Sequence, residues 1–207
     1  MYFPLFLDLS QKEVLVVGAG RIASRRIRAL CGFAGRITVV ALQIPAAFGS
    51  RIAPDVPDFR KSAGKAPDEK TESLHETGEM CETGKICGTA ESEVPADDME
   101  VSGTRIRTFE RSFLTSDLEQ KDLVLAATDD AELNARIGAL CRAKGIPVNI
   151  CTDAEDCDFQ FPSIVEDGAV VVGINASGKD HRLVKETRQR IETLFENADF
   201  RSRYENR

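Results

Sequence analysis

The sequence predicts an α/β fold: a doubly wound parallel sheet, then an antiparallel hairpin, then a short helical C-terminal segment. Three observations predict it. Short continuous runs of β-branched and aliphatic residues, at 14–17, 36–42, 122–127 and 146–151, read as strands buried on both faces, as in a parallel sheet. Helical patterns alternate with several of these runs, which is the signature of strand–helix–strand units. Two last strand-like runs, 158–164 and 169–175, are separated by Asp167-Gly168, a hairpin turn signal.

Residues 2–9 alternate aromatic and aliphatic side chains around Pro4. They read as an edge strand or a lid on the core. The first buried strand, 14–17, runs directly into Gly18-Ala19-Gly20 and then a helical pattern with apolar Ile22, Ala23, Ile27 and Leu30. Strand, glycine turn and helix in this order make a dinucleotide-binding fingerprint of the form G-x-G-x-x-A, so the sheet is Rossmann-like. Gly18 permits the sharp turn, Gly20 lets backbone approach a pyrophosphate, and Ala23 lets the helix pack closely on the strand. The free N–H groups of the helix start then face the phosphates.

The second strand, 36–42, ends in Ala41, Leu42 and Gln43. A dinucleotide fingerprint usually places an acid there for the ribose hydroxyls, or a basic residue nearby for a 2′-phosphate. Neither is present, so these residues alone leave NAD against NADP open; Gln43 offers a ribose hydrogen bond. A short helix with breakers is expected over 45–59. Residues 62–103 carry eleven acids against three lysines and almost no large apolar side chains. They read as a disordered acidic insertion, too poor in apolar area to offset its ordering entropy. The net charge of −7 is concentrated there, so the rest of the chain is close to neutral and an anionic ligand is not excluded.

A third strand is expected at 104–109, a short helix or turn at 113–120, and a fourth strand at 122–127. Thr128-Asp129-Asp130 offers caps to a helix over 131–144, with Leu133, Ile137, Leu140 and Cys141 on its apolar face and Gly145 as its stop. The fifth strand is 146–151. After the hairpin, Ala176-Ser177-Gly178 forms a second glycine turn, and 182–195 reads as an amphipathic helix before a polar tail. The expected organisation is a nucleotide-binding domain at 1–152, a hairpin at 153–178 and a short helical region at 179–207.

Six cysteines without a C-x-x-C pair read as buried free thiols in a reducing compartment. His75, Cys81 and Cys87 match no zinc spacing, and Cys151 with Cys157 reads as packing rather than a metal or redox pair. No run is long and apolar enough to span a membrane, and the N-terminus lacks a basic leader and cleavage site. A cytoplasmic protein is therefore expected, with no nucleic-acid or membrane partner.

Several stretches together resemble the precorrin-2 dehydrogenase family, the N-terminal NAD-binding part of siroheme synthase. They are YFPLFLDLSQKEVLVVGAGRIASRRIRAL, ITVVAL, LVLAATDDAELNARI, VNICTDAEDCDFQFPSIV and GINASGK, in that order and spacing. The resemblance covers nearly the whole chain apart from residues 62–103. It implies oxidation of precorrin-2 to sirohydrochlorin with NAD⁺, in a homodimer whose hairpin dimerises. Ferrochelation in addition or instead, or a non-catalytic NAD(H)-sensing module, are the alternatives. It also implies a separate uroporphyrinogen methyltransferase upstream. The implied cofactor site is Gly18, Gly20, Arg21, Ile22, Leu42, Gln43, Thr128 and Asp129. The family's catalytic acid, three places past Asn149, falls on Thr152, with Asp153 beside it; both are candidates for the proton side of the reaction. A substrate rich in carboxylates needs cations, and Lys179, Arg182 and Lys185 after the second glycine turn are the candidates. Asp153, Asp156 and Asp158 form an oxygen-rich group suited to hard metals rather than to pyrrole-bound iron, so no metal site is assigned.

Overall fold

A computed structural model describes residues 3–53, 95–168, 170–178 and 180–196. Its main sheet has six strands in the order β3-β4-β2-β1-β5-β6. These are β1 (Glu13–Val17), β2 (Arg36–Ala41), β3 (Asp97–Val101), β4 (Thr104–Glu110), β5 (Leu123–Ala126) and β6 (Val148–Ile150). All neighbours are parallel except the β3–β4 pair. The helices are α1 (Arg21–Leu30), α2 (Phe48–Ile52) and α3 (Ala131–Lys144), with a 3-10 turn at Thr115–Leu118. A separate antiparallel hairpin, β7 (Ser163–Asp167) and β8 (Val170–Ile174), precedes α4 (His181–Glu196). The expected doubly wound sheet, late hairpin and C-terminal helix are therefore present.

The winding follows from β1. Its alternate side chains enter two different cores, as strand geometry requires. Val14 and Val16 join Ala23, Ile27, Ile37, Val39, Phe48 and Ile52 beneath α1 and α2. Leu15 and Val17 join Val40, Phe113, Leu118, Val124, Ile137 and Val148 on the α3 side. The four residues from Val14 to Val17 are at most 2% exposed. Burying each side chain is worth about 1.5–3 kcal/mol, so this strand anchors both layers.

Several expectations are corrected. The acidic stretch at 62–103 ends in ordered structure: β3 lies within it. Ser102 and Gly103 both take positive φ, 51° and 78°, and form a two-residue turn that folds Asp97–Val101 back on β4. Asp98 then pairs with Arg105 at 2.6 Å. An exposed edge strand is held by backbone bonds and cross-strand charges, so it needs little apolar area. Residues 54–94, with His75, Cys81 and Cys87, lie outside the described residues. Residues 3–9 form no strand: Phe3, Leu5, Phe6 and Leu7 are 60–86% exposed, and only Leu9 packs against the core. In the described part of 45–59 the expected short helix is α2, and the first run of the hairpin begins at Ser163 rather than 158.

The face of α3 also differs from its pattern. Asn134, Ile137, Gly138 and Cys141 are buried, while Leu133 and Leu140 are only partly so. Apolarity alone ranks leucine above asparagine. Asn134 wins the buried place because its amide has four partners there, described below. Asp130 caps α3 by accepting from the Leu133 N–H at 3.0 Å, and Gly145 ends it at φ 69°.

Candidate functional site

The chain reverses direction across the sheet between β1 and β5. In open α/β sheets, ligands bind outside the carboxyl ends of the strands at such a switch point. Here that position is built from two loops, Gly18-Ala19-Gly20 after β1 and Ala127-Thr128-Asp129 after β5.

The two fingerprint glycines differ. Gly18 has φ +111°, and a Cβ there would lie 2.4 Å from the Ala127 carbonyl oxygen. Its N–H donates to Val40 O at 2.8 Å. Gly18 is required by the protein itself: it lets the β1 loop lie against the β5 loop. Gly20 has ordinary extended backbone, φ −72° and ψ −174°, and a Cβ there would meet nothing within 4 Å. The space above it is open. Gly20 is also the N-cap of α1, without a side-chain cap and without an acid in the first turn. The first N–H groups of α1 therefore keep their capacity for an anion. A dinucleotide pyrophosphate fits this cradle, with Arg21 and Ile22 exposed in the first turn.

The opposite wall is held by Asn134, which is fully buried. Its Oδ1 accepts from the Thr128 hydroxyl at 2.7 Å and from the Thr128 N–H at 3.2 Å. Its Nδ2 donates to Thr128 O at 3.0 Å and to Thr152 Oγ1 at 3.3 Å. One amide thus ties the loop after β5 to the loop after β6. Sequence reasoning missed Asn134; the available signal was a polar residue in the register of Ile137 and Cys141. Thr128 is partly buried by this network, and Asp129 is exposed beside it.

Thr152 reaches the Asn134 network, whereas Asp153 curls into its own turn. Asp153 Oδ1 accepts from the Glu155 and Asp156 N–H groups at 3.0 and 3.3 Å. Asp156 and Asp158 face Arg142, at 2.6 and 3.6 Å, so the three acids are divided between a turn and an ion-pair cluster. Among the described residues, no group of three or more His, Cys, Asp or Glu is arranged to hold a metal.

A cleft of about 1710 Å³ adjoins the end of β6. Its walls include Arg25 and Arg28 of α1, Asn149 and Cys151, the hairpin, and His181, Val184 and Arg188 of α4. Arg26 lies inside it, its guanidinium 4.3 Å above the Phe161 ring. Burial pulls the Arg26 guanidinium below its ordinary value, with the Cys151 thiol opposing. Burial likewise pushes the Cys151 and Cys157 thiols up, which keeps them protonated packing groups. The helix face turned to the cleft is not the one the sequence suggested. Arg182 pairs with Glu186 at 2.8 Å and, like Lys185, is not among the cleft residues; Lys179 lies outside the described residues. A 100° step per residue puts His181, Val184 and Arg188 on one stripe and Arg182 and Lys185 on the next.

Leu42 and Gln43, at the end of β2, are both exposed, Leu42 by 73%. The neighbouring strand supplies a carboxylate here: Glu110 Oε2 accepts from the Ile44 N–H at 2.9 Å.

Comparison with known proteins agrees with this geometry. Residues 5–163 match the family described as NAD(P)-binding. The siroheme synthase of Ruthia magnifica is 28% identical over 197 residues, covering 95% of this chain and 31% of the relative. That of Psychrobacter sp. is 29% identical over 193 residues, covering 93% and 30%. The chain thus spans about a third of the length of the curated relatives it matches. Among solved structures, SirC, a precorrin-2 dehydrogenase, superposes with a TM-score of 0.59 at 20% identity, over 93% of this chain and 70% of that one. This likeness shows that the two share a fold.

Proposed function

The chain belongs to the NAD(P)-binding family, and from that premise we propose that it is an NAD-dependent dehydrogenase that oxidises precorrin-2 to sirohydrochlorin in siroheme biosynthesis. The observation that carries this reading is the adjacency of two sites. An anion cradle, open above Gly20, stands at the switch point, and a large cleft walled by arginines meets the same strand ends at Cys151. A reduced tetrapyrrole bears many carboxylates and a wide apolar ring. Arg25 and Arg28 suit the first, and Phe161 and Val184 suit the second. The names of the siroheme synthases and of SirC point to the same chemistry.

In this reading the first turn of α1 holds the pyrophosphate, and Leu42 and Gln43 border the adenosine end. Thr128 and Asp129 line the wall towards the reacting end. NAD⁺, when bound, supplies the hydride acceptor. The chain's own contribution is mainly placement: Asn134 fixes the Thr128 and Thr152 loops relative to each other, so the cofactor cradle and the substrate cleft keep one geometry. We assign the proton side to Asp153 acting through one water. Its Oδ1 is committed to the turn, and Oδ2 has no protein hydrogen bond among the described residues. Thr152 is a positioning residue through its contact with Asn134. Asp156 and Asp158, turned to Arg142, are structural, so ferrochelation is not assigned to them.

The hairpin β7–β8 is assigned to homodimerisation. Four described cysteines are free thiols, which suits a reducing compartment such as the cytoplasm; no described helix is long and apolar enough to cross a membrane. The experiment is anaerobic incubation with precorrin-2 and NAD⁺, following NADH absorbance and the sirohydrochlorin spectrum together. Both signals rising in step are expected. NADH binding without turnover would instead make the chain a cofactor sensor.

A further inference from the structure

The adenosine end of the cradle carries an acid that the linear sequence hides. β2 ends in Ala41, Leu42 and Gln43, with no charge. In the register of the sheet, however, Ala41 lies opposite Glu110, the last residue of β4. The Glu110 carboxylate then reaches over the loop that follows β2, accepting from the Ile44 N–H through Oε2 at 2.9 Å. Glu110 is exposed, and its Oε1 has no hydrogen-bond partner among the described residues. The nearest basic residue along the chain, Arg111, is turned away. Its two terminal nitrogens hold Asp117 at 2.7 and 2.9 Å, and it also donates to Ser112 O. Residues 41–47 themselves include no lysine or arginine.

We infer that Glu110 is the residue that selects NAD over NADP, delivering from the neighbouring strand the carboxylate that a dinucleotide fold usually places at the end of β2. This rests on the cofactor reading above and adds its specificity. A carboxylate at this rim accepts hydrogen bonds from a free ribose 2′-hydroxyl. The same carboxylate repels a 2′-phosphate, and the loop has no cation to compensate. One side chain therefore attracts one cofactor and rejects the other, as specificity through a repulsive element requires.

The test is direct binding, read from nicotinamide fluorescence, of NADH and NADPH to the full chain and to Glu110→Gln. Glutamine keeps an oxygen for the Ile44 N–H, so the loop stays pinned while the charge is lost; equal melting temperatures verify this. The wild type is expected to prefer NADH by about tenfold or more, and Glu110→Gln to shrink that ratio at least about fivefold, chiefly by gaining NADPH. Raising salt from about 0.05 M to about 0.5 M is expected to narrow the wild-type ratio and leave the variant's ratio unchanged, which a merely structural role would not produce. An unaltered ratio in Glu110→Gln overturns the inference while leaving the cofactor reading intact, whereas a wild type that prefers NADPH overturns the inference and the choice of NAD together. Failure of the wild type to bind either cofactor overturns both.

Discussion

Gly18→Ala and Gly20→Ala are expected to damage different properties, although both remove a glycine from one three-residue turn. At Gly18 the new methyl would lie 2.4 Å from Ala127 O and 2.7 Å from its carbon, both backbone atoms. Neither atom moves without displacing the loop after β5. The φ of +111° adds a backbone conformation that L-residues rarely adopt. Strain of about 1–3 kcal/mol for the backbone and a similar overpacking term give about 2–6 kcal/mol of lost stability. For a chain of 207 residues this lowers the melting temperature by roughly 10 °C. At Gly20 the methyl meets nothing within 4 Å and φ is −72°. Loss of a glycine N-cap and gain from a stiffer unfolded chain nearly offset, so stability should move by less than about 1 kcal/mol. The methyl instead occupies the space left for a pyrophosphate, and NADH affinity should fall about tenfold or more, some 1.4 kcal/mol. Thermal melts and NADH fluorescence titrations on both variants separate the two effects. A Gly18→Ala protein that melts with the wild type would refute the steric argument. A Gly20→Ala protein that binds NADH normally would refute the placement of the phosphates.

Asn134→Ala removes the partner of Thr128 N, Thr128 O and both hydroxyls, and is expected to cost about 2–4 kcal/mol in urea unfolding, against under about 1 kcal/mol for Thr152→Ala. Asp153→Asn is expected to lower kcat about 10²-fold with little change in NADH affinity; an undiminished kcat would remove Asp153 from the reaction. Burial pushes the Cys31 and Cys141 thiols from 9.0 up to about 11. Between these values the folded state retains protons that the unfolded state has lost, so stability should be full below about pH 9 and fall as pH rises towards 11. Urea midpoints at several alkaline pH values test this, and a Cys31→Ala, Cys141→Ala double variant should flatten the slope.

The relation between sequence and site is uneven for physical reasons. The glycine turn at Gly18 and Gly20 and the helix start at Arg21 and Ile22 were legible because a strand, a tight turn and a helix start are made by residues adjacent in the chain. Asp130 was legible as a cap for the same reason. Asn134 was not, since its burial depends on partners at Thr128 and Thr152 that a helical pattern ignores. The edge strand Asp97–Val101 was hidden by its acidity, because hydrophobic patterning does not register a strand held by backbone bonds and cross-strand charge. The stripe of α4 that borders the cleft, His181, Val184 and Arg188, was not legible, because proximity to the Gly178 turn says nothing about which stripe of a helix turns inwards.

By itself the sequence determined the doubly wound topology, the glycine cradle and the late hairpin, since each is encoded by local periodicity and turn chemistry. Only the tertiary structure decided that Gly18 is demanded by Ala127, whereas a Cβ at Gly20 would meet only open space. It also decided that the end of β2, bare at Ala41, receives the carboxylate of Glu110. These contacts join residues separated by about 70 to 110 positions, and strand register sets them. A register is fixed by the burial of whole faces at once, which no window of neighbouring residues contains.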